Sequence, residues 1–191
     1  MSEQEDTGIG RFAIWMVVAG VIVLLDQASK WAIIEWVELY DRVPINSFIN
    51  ITHQRNTGAA FSFLADASGW QRYFFITLAS IVSAGITYWI WTERRHGKFI
   101  LIAGLALILG GAIGNLVDRI ALGYVTDFIQ VWFGDWAFPS FNVADSAITV
   151  GAALLIIDSL FFSKEESGES SAVNEEPAST ADDGSSGDEK G

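Results

Sequence analysis

Apolar residues run along this chain in four blocks, with short polar clusters set at their ends. The blocks cover residues 12–31, 70–91, 99–117 and 141–162. A hydrocarbon core of about 30 Å takes about 20 helical residues, so each block predicts a transmembrane helix. Aromatic residues gather near several block ends (Trp31, Trp36, Tyr40; Trp70, Tyr73; Tyr88, Trp89, Trp91; Trp132, Trp136), as an interfacial belt does. The first block follows an acidic start and continues into Asp26 and Lys30 without a small-residue cleavage site, so it reads as a retained span rather than a removed leader. Between the first two blocks, Ile49-Asn50-Ile51-Thr52 alternates apolar and polar, which predicts a short strand. Asn56-Thr57-Gly58 predicts a turn. The connection over residues 118–140 reads as an external loop carrying Asp127. The expected class is an all-α membrane protein, four transmembrane helices with a small β element in the first external loop, over residues 1–162.

Composition supports lipid contact and isolates one exception. The 191 residues are 51% hydrophobic, with eight tryptophans and thirteen phenylalanines, yet the net charge is −12. Residues 163–191 hold nine of the acidic residues against two lysines, and are otherwise rich in Ser and Gly. Such a segment buries too little apolar surface to fold, and reads as a disordered acidic tail. The short connection Glu93-Arg94-Arg95-His96-Gly97-Lys98 is dense in basic charge next to membrane ends. By the positive-inside rule it belongs in the cytoplasm, which puts both termini there and the two remaining connections outside. With no cysteine, thiol nucleophiles, thiolate metal sites and disulfides are excluded. His53 and His96 lack metal-ligand spacing, so no metal or cofactor is expected.

The chemistry lies in the polar clusters at the outer ends. They read Gly114-Asn115-Leu116-Val117-Asp118-Arg119, Val125-Thr126-Asp127-Phe128 and Phe141-Asn142-Val143-Ala144-Asp145-Ser146. Ionisable groups beside hydrocarbon are costly and mark functional sites by default. Asn142 and Asp145 are three apart, hence on one helical face; capping the last helix is the simpler role for either taken alone. Asn115, Asp118 and Arg119 serve a structural or a catalytic role equally well. Asp127 has apolar neighbours, whose desolvation favours its protonated form. Asp26 and Lys30 stand at i and i+4 and predict an ion pair. Ser29 beside Lys30 makes a geometrically poor dyad, since adjacent helical residues point about 100° apart. Neither a His-Glu-x-x-His metalloprotease motif nor a Gly-x-Ser-x-Gly nucleophile elbow is present. Paired aspartate remains: two carboxylates sharing one proton activate water, one as base and one as acid.

These motifs resemble those of bacterial lipoprotein signal peptidase (signal peptidase II), a family of intramembrane aspartic peptidases with four transmembrane helices. The resemblance rests on Asp26-Gln27-Ala28-Ser29-Lys30, on Asn56-Thr57-Gly58-Ala59-Ala60-Phe61-Ser62 and on the three clusters above, in matching order over about residues 11–162. It implies that Asp127 and Asp145 form the catalytic dyad. It implies supporting or substrate-binding roles for Asp26, Lys30, Asn56, Gly58, Asn115, Asp118, Arg119, Asn142 and Ala144. The implied activity is metal-free removal of the signal peptide from diacylglyceryl-modified prolipoproteins, cut before the lipidated cysteine. The implied setting is the bacterial inner membrane, with membrane lipid and lipidated prolipoproteins as partners, no nucleic acid, and function as a monomer. The scissile bond of such a substrate lies near the outer interface, where both aspartates are expected. The apolar segment around Phe61 and the aromatic stretch from Trp132 to Phe138 are candidate walls of the cleft.

An alternative reading is a transporter or channel subunit with Asp26, Lys30, Asp127 and Asp145 as an ion relay. It accounts for charge in the membrane but not for its concentration at one face. A scaffold that binds partners through the acidic tail gives no reason for the outer clusters.

Overall fold

The computed structural model describes residues 2–58 and 70–161, with side chains described from residue 8 onward. The segment around Phe61 and the acidic tail lie outside the described residues. Four helices carry the apolar blocks: α1 (Ser2–Trp36), α2 (Trp70–Glu93), α3 (Phe99–Ala121) and α4 (Val143–Phe161). All four are long and apolar enough to cross a membrane. The polar motif at Asp26–Lys30 lies within α1, and α3 runs past its apolar block, so Asn115–Arg119 is helical throughout.

The third helix is the axis of the bundle, packing against α1, α2 and α4. In α3, 56% of the most apolar window is buried, against 11% to 22% in the other three helices. Those three turn large side chains such as Leu24, Tyr73, Ile81 and Phe161 outward, as lipid-facing helices do. Trp15, Ala19, Ile90, Ile102, Leu105, Ala106 and Leu109 form the buried core. Small residues set the approach of α3 to α4. A Cβ on Gly111 would meet the Ala144 carbonyl oxygen at 2.4 Å, and one on Gly151 would meet the Gly104 carbonyl oxygen at 2.6 Å. Backbone-to-backbone contact of this kind replaces the hydrophobic driving force that lipid removes. It also fixes the start of α4 beside the last turns of α3.

A four-stranded antiparallel sheet, in the order β1-β2-β3-β4, closes one end of the bundle. Its strands are β1 (Arg42–Pro44), β2 (Ile49–Asn56), β3 (Val125–Phe133) and β4 (Trp136–Ala137). The expected strand at Ile49–Thr52 thus extends to Asn56. The connection after α3, expected to be a loop, supplies half of the sheet, and Asp127 sits on strand β3. The run Val125-Thr126-Asp127-Phe128-Ile129-Gln130-Val131-Trp132-Phe133 is rich in β-branched and aromatic residues, the signal that announces a strand.

A bulge in β2 sets the register that matters. Ile51 pairs with Ile129, but Gln54 pairs with Asp127, so Thr52 and His53 together oppose one residue. The extra residue flips the face of everything after it. Asp127 thereby shares a face with Gln54 and, diagonally, with Asn56, which pairs with Val125. The bulge is tied down from outside: Thr52 Oγ1 donates to the Asp41 carbonyl at 2.8 Å, and His53 Nδ1 lies 2.9 Å from the Val37 carbonyl.

Candidate active site

The sheet, the C-terminal turns of α1 and α3 and the N-terminal turn of α4 converge on one polar layer. Two adjoining clusters make it up. The first centres on Lys30, only 2% exposed, whose ammonium lies 2.8 Å from Asp26 and 3.1 Å from Asp118 and donates to Asn115 Oδ1 at 2.9 Å. The expected i, i+4 pair is present, and Asp118 makes it a triad. Both carboxylates serve the structure as well. Asp26 Oδ1 accepts the Ala144 N–H at 2.9 Å, tying α1 to the first turn of α4. Asp118 Oδ2 accepts the Thr126 N–H at 3.0 Å, tying α3 to the strand residue next to Asp127. A Cβ on Gly114 would meet Asp26 Oδ2 at 2.6 Å, so the Gly114 position must stay small.

The second cluster holds Asp127 and Asp145. Asn142 stands immediately before α4 and caps it: the Asp145 N–H donates to Asn142 Oδ1 at 2.9 Å, and the Asn142 N–H donates back to Asp145 Oδ2 at 3.3 Å. This reciprocal pattern is a capping box, with Asp in the third helical position. The Asn142 side-chain amide is free to turn the other way, and Nδ2 donates to Asp127 Oδ1 at 2.7 Å. One residue therefore grips both carboxyl groups. Asn142 fills its capping role and its site role at the same time. Asn56 Nδ2 donates to Asp127 Oδ2 at 2.9 Å, and Asn115 Nδ2 donates to Asp145 Oδ1 at 2.7 Å.

Asp127 is buried, and burial pushes its carboxyl up to about 6. The Asn56 amide opposes that rise, the neighbouring Asp145 adds to it, and Asn142 and Lys30 oppose it less strongly. Asp145 is only half-buried and borders an open groove on α4.

The remaining sequence candidates take defined places. Gly58, at φ +86°, donates its N–H to Asn56 Oδ1 at 2.8 Å, which orients the Asn56 amide toward Asp127. A Cβ there would meet the Phe75 ring at 2.3 Å, so the left-handed turn and the close ring both demand glycine. Arg119 donates to the Asn115 carbonyl at 3.2 Å and lies 5.1 Å above the Phe75 ring. Ser29 donates to the Asp26 carbonyl at 2.8 Å, a helix back-bond rather than a dyad contact. Trp132 is half-buried under the Arg42 guanidinium at 4.6 Å, and Trp136 stacks on Phe133 with centroids 5.9 Å apart. Among the described residues, no three His, Asp or Glu side chains converge as a metal site requires.

Two residues escape the sequence reading. Gln27 Nε2 reaches Asp118 Oδ1 at 2.9 Å and the Gly114 carbonyl at 3.0 Å, bracing the triad between α1 and α3. Its place three before Lys30 puts it on the same helical face, which is a usable signal. Arg72 on α2 donates to the Arg119 and Ile120 carbonyls at 2.9 and 2.8 Å, capping α3 just past the site. Nothing local in the sequence points to that contact.

Fold and site together define a polytopic membrane protein with a carboxylate-rich polar site at one end of its bundle. The chain belongs to the signal peptidase II family: the family described as "Signal peptidase (SPase) II" matches residues 18–161. It is similar to the lipoprotein signal peptidase of Acinetobacter baumannii, 49% identical over 169 residues, which span 86% of this chain and 95% of that protein. It is also similar to the lipoprotein signal peptidase of Pseudomonas syringae pv. tomato, 47% identical over 86% of this chain and 94% of that one. Two solved bacterial membrane enzymes share the fold. One has a TM-score of 0.70 at 32% identity, over 79% of this chain and 95% of its own. The other has a TM-score of 0.68 at 30% identity, over 87% and 95%. Membership makes this protein a peptidase and sets aside the ion-relay and scaffold readings.

Proposed function

We propose that this protein is an aspartic endopeptidase of the bacterial inner membrane. It removes the signal peptide from diacylglyceryl-modified prolipoproteins, cutting before the lipidated cysteine. The observation that carries the mechanism is Asn142, whose backbone N–H and side-chain amide hold Asp145 and Asp127 as one unit. The relatives are named for lipoprotein signal peptides, and their substrate fits a site at the membrane end of a helical bundle.

Two carboxylates bridged by one asparagine, with Asp145 near enough to help raise Asp127, share one proton in this reading. Asp127, pushed up to about 6 by burial, carries it. Ionised Asp145, at the open side, takes a proton from water. The water oxygen bonds to the scissile carbonyl carbon while Asp127 donates its proton to the carbonyl oxygen. Collapse of the tetrahedral adduct breaks the C–N bond, and the leaving amine takes the proton held by Asp145. The dyad then regains its single shared proton from the adduct hydroxyl. Asn56, Asn115 and Asn142 hold the two carboxyls in place. Asp26, Lys30, Asp118 and the Ala144 N–H hold the elements that present them. Gly58 sets Asn56, and Arg119 lies over Phe75 as a wall of the cleft.

The basic connection between α2 and α3 faces the cytoplasm in this reading, with both termini, and the sheet lies at the outer face. The chain acts as a monomer, with bilayer lipid around it.

The test is cleavage of a lipidated prolipoprotein by the purified protein in a bilayer or detergent, with the new amino terminus read by mass spectrometry. Cleavage at the lipidated cysteine by the parent, abolished in folded Asp127→Asn and Asp145→Asn, is the expected result. Undiminished cleavage by either variant overturns the dyad.

A further inference from the structure

A groove of about 420 Å³ opens beside Asp145, lined by Phe138, Phe141, Asp145, Ser146, Thr149 and Val150. Its floor is the start of α4. Its wall is the edge-to-face pair Phe138 and Phe141, with centroids 6.1 Å apart. The lining is mostly apolar, and two hydroxyls interrupt it. Ser146 Oγ donates to the Asn142 carbonyl at 2.9 Å, and Thr149 Oγ1 donates to the Asp145 carbonyl at 2.8 Å. A hydroxyl has one proton. With both protons committed to the helix, each oxygen offers the groove acceptor capacity only.

We infer that Ser146 and Thr149 accept hydrogen bonds from backbone N–H groups of the substrate residues just before the scissile bond. This deepens the proposed function and rests on it. A peptide bond can reach a carboxylate dyad only where its helix has unwound, and unwinding frees N–H groups that hydrocarbon cannot satisfy. An apolar groove with acceptor-only oxygens meets that need. The hydroxyls stand three residues apart on one helix face, about 4.5 Å along the axis. An unwound backbone covers that distance in one to two residues, at about 3.3 Å each. Direction agrees as well: α4 runs from the dyad into the membrane, as the signal peptide runs inward from its cleavage point. A hydrocarbon tail would fill the same volume but gain nothing from the two oxygens.

The experiment uses the full-length enzyme and a synthetic lipopeptide substrate. A second substrate carries an ester in place of the amide at the first or second bond before the scissile one, deleting a single N–H. Thr149→Val and Ser146→Ala are each expected to lower kcat/KM about fivefold on the amide substrate, the effect of one net hydrogen bond. The ester substrate is expected to lower the parent's kcat/KM about as much. On the ester that lacks its N–H, the matching variant loses nothing further, and Thr149→Ser stays near the parent throughout. Unchanged cleavage by both variants overturns the inference, as do losses that multiply with the ester. Losses that follow the substrate's acyl length instead assign the groove to a lipid tail and also overturn it. All of these outcomes leave the parent cleaving, whereas a parent that cleaves no lipidated substrate refutes the proposed function itself.

Discussion

The two carboxylate clusters in the polar layer solve the same problem in opposite ways. Asp26 and Asp118 are buried and bracket a buried ammonium, Lys30. Asp127 and Asp145 receive amide hydrogen bonds from Asn56, Asn115 and Asn142, and among the described residues no Lys or Arg forms an ion pair with either. A cation settles charge permanently and leaves a carboxylate inert. Amides orient a carboxylate without neutralising it, so the proton stays available. Taking an ion out of water costs several kcal/mol, which the Lys30 triad recovers by pairing and Asp127 answers with a carboxyl that holds its proton more readily. The first pair is compensated by an ion pair, and the second, the proposed dyad, is held by amides.

The sharpest way to break this contrast is activity. Replacing either dyad carboxyl by the isosteric amide is expected to lower turnover about a thousandfold, within the range of general acid–base catalysis, in single-turnover assays. Stability is expected to sort the clusters the other way. Lys30→Met leaves two buried carboxylates unpaired and should cost about 3–5 kcal/mol, seen as a large fall in the thermal midpoint in detergent. Adding Asp118→Asn should recover part of that loss. If Lys30→Met instead unfolds like the parent, the first cluster is not compensated charge.

Relative to the parent, Asp127→Asn should have a higher midpoint at pH 7.5 than at pH 4, although its amide NH2 must face one of the two donors, Asn56 Nδ2 or Asn142 Nδ2. The folded protein binds the Asp127 proton more tightly than the unfolded chain, between the ordinary 3.8 and about 6. The charged carboxylate therefore weakens the fold fully above about pH 6, and the penalty fades as pH falls toward 4. The variant's midpoint relative to the parent's should therefore fall over that window, and one that rises on acidification contradicts the assignment. The smallest effect is expected from Asn56→Ala. Losing a hydrogen bond that favours the carboxylate lifts Asp127 further, so the alkaline limb of the kcat/KM profile should move to higher pH, with less than about a tenfold loss at the optimum.

The four spans are legible from hydropathy and length, because a helix in lipid satisfies its own backbone and needs no information from elsewhere. The Asp26–Lys30 pair follows from i, i+4 geometry, and the turn at Asn56–Gly58 from residue preference. The strand containing Asp127 is within reach of composition but hidden by its setting: its run of β-formers lies in a connection between spans, where an external loop is the default. The gripping of both Asp127 and Asp145 by Asn142 is not legible at all. It needs the α3–α4 approach at Gly111 and Gly151 and the one-residue bulge in β2, and each depends on residues far apart in the chain.

The sequence by itself determined the spans, the polar motifs at their ends and the pairs lying within one helix, since these obey local periodicity. Tertiary structure decided that Asp118 joins Lys30 and that Asp127 and Asp145 are left to amides. Helix packing and strand register choose neighbours across 71 and 85 residues, as at Asn56–Asp127 and Lys30–Asn115, and no local period encodes that choice.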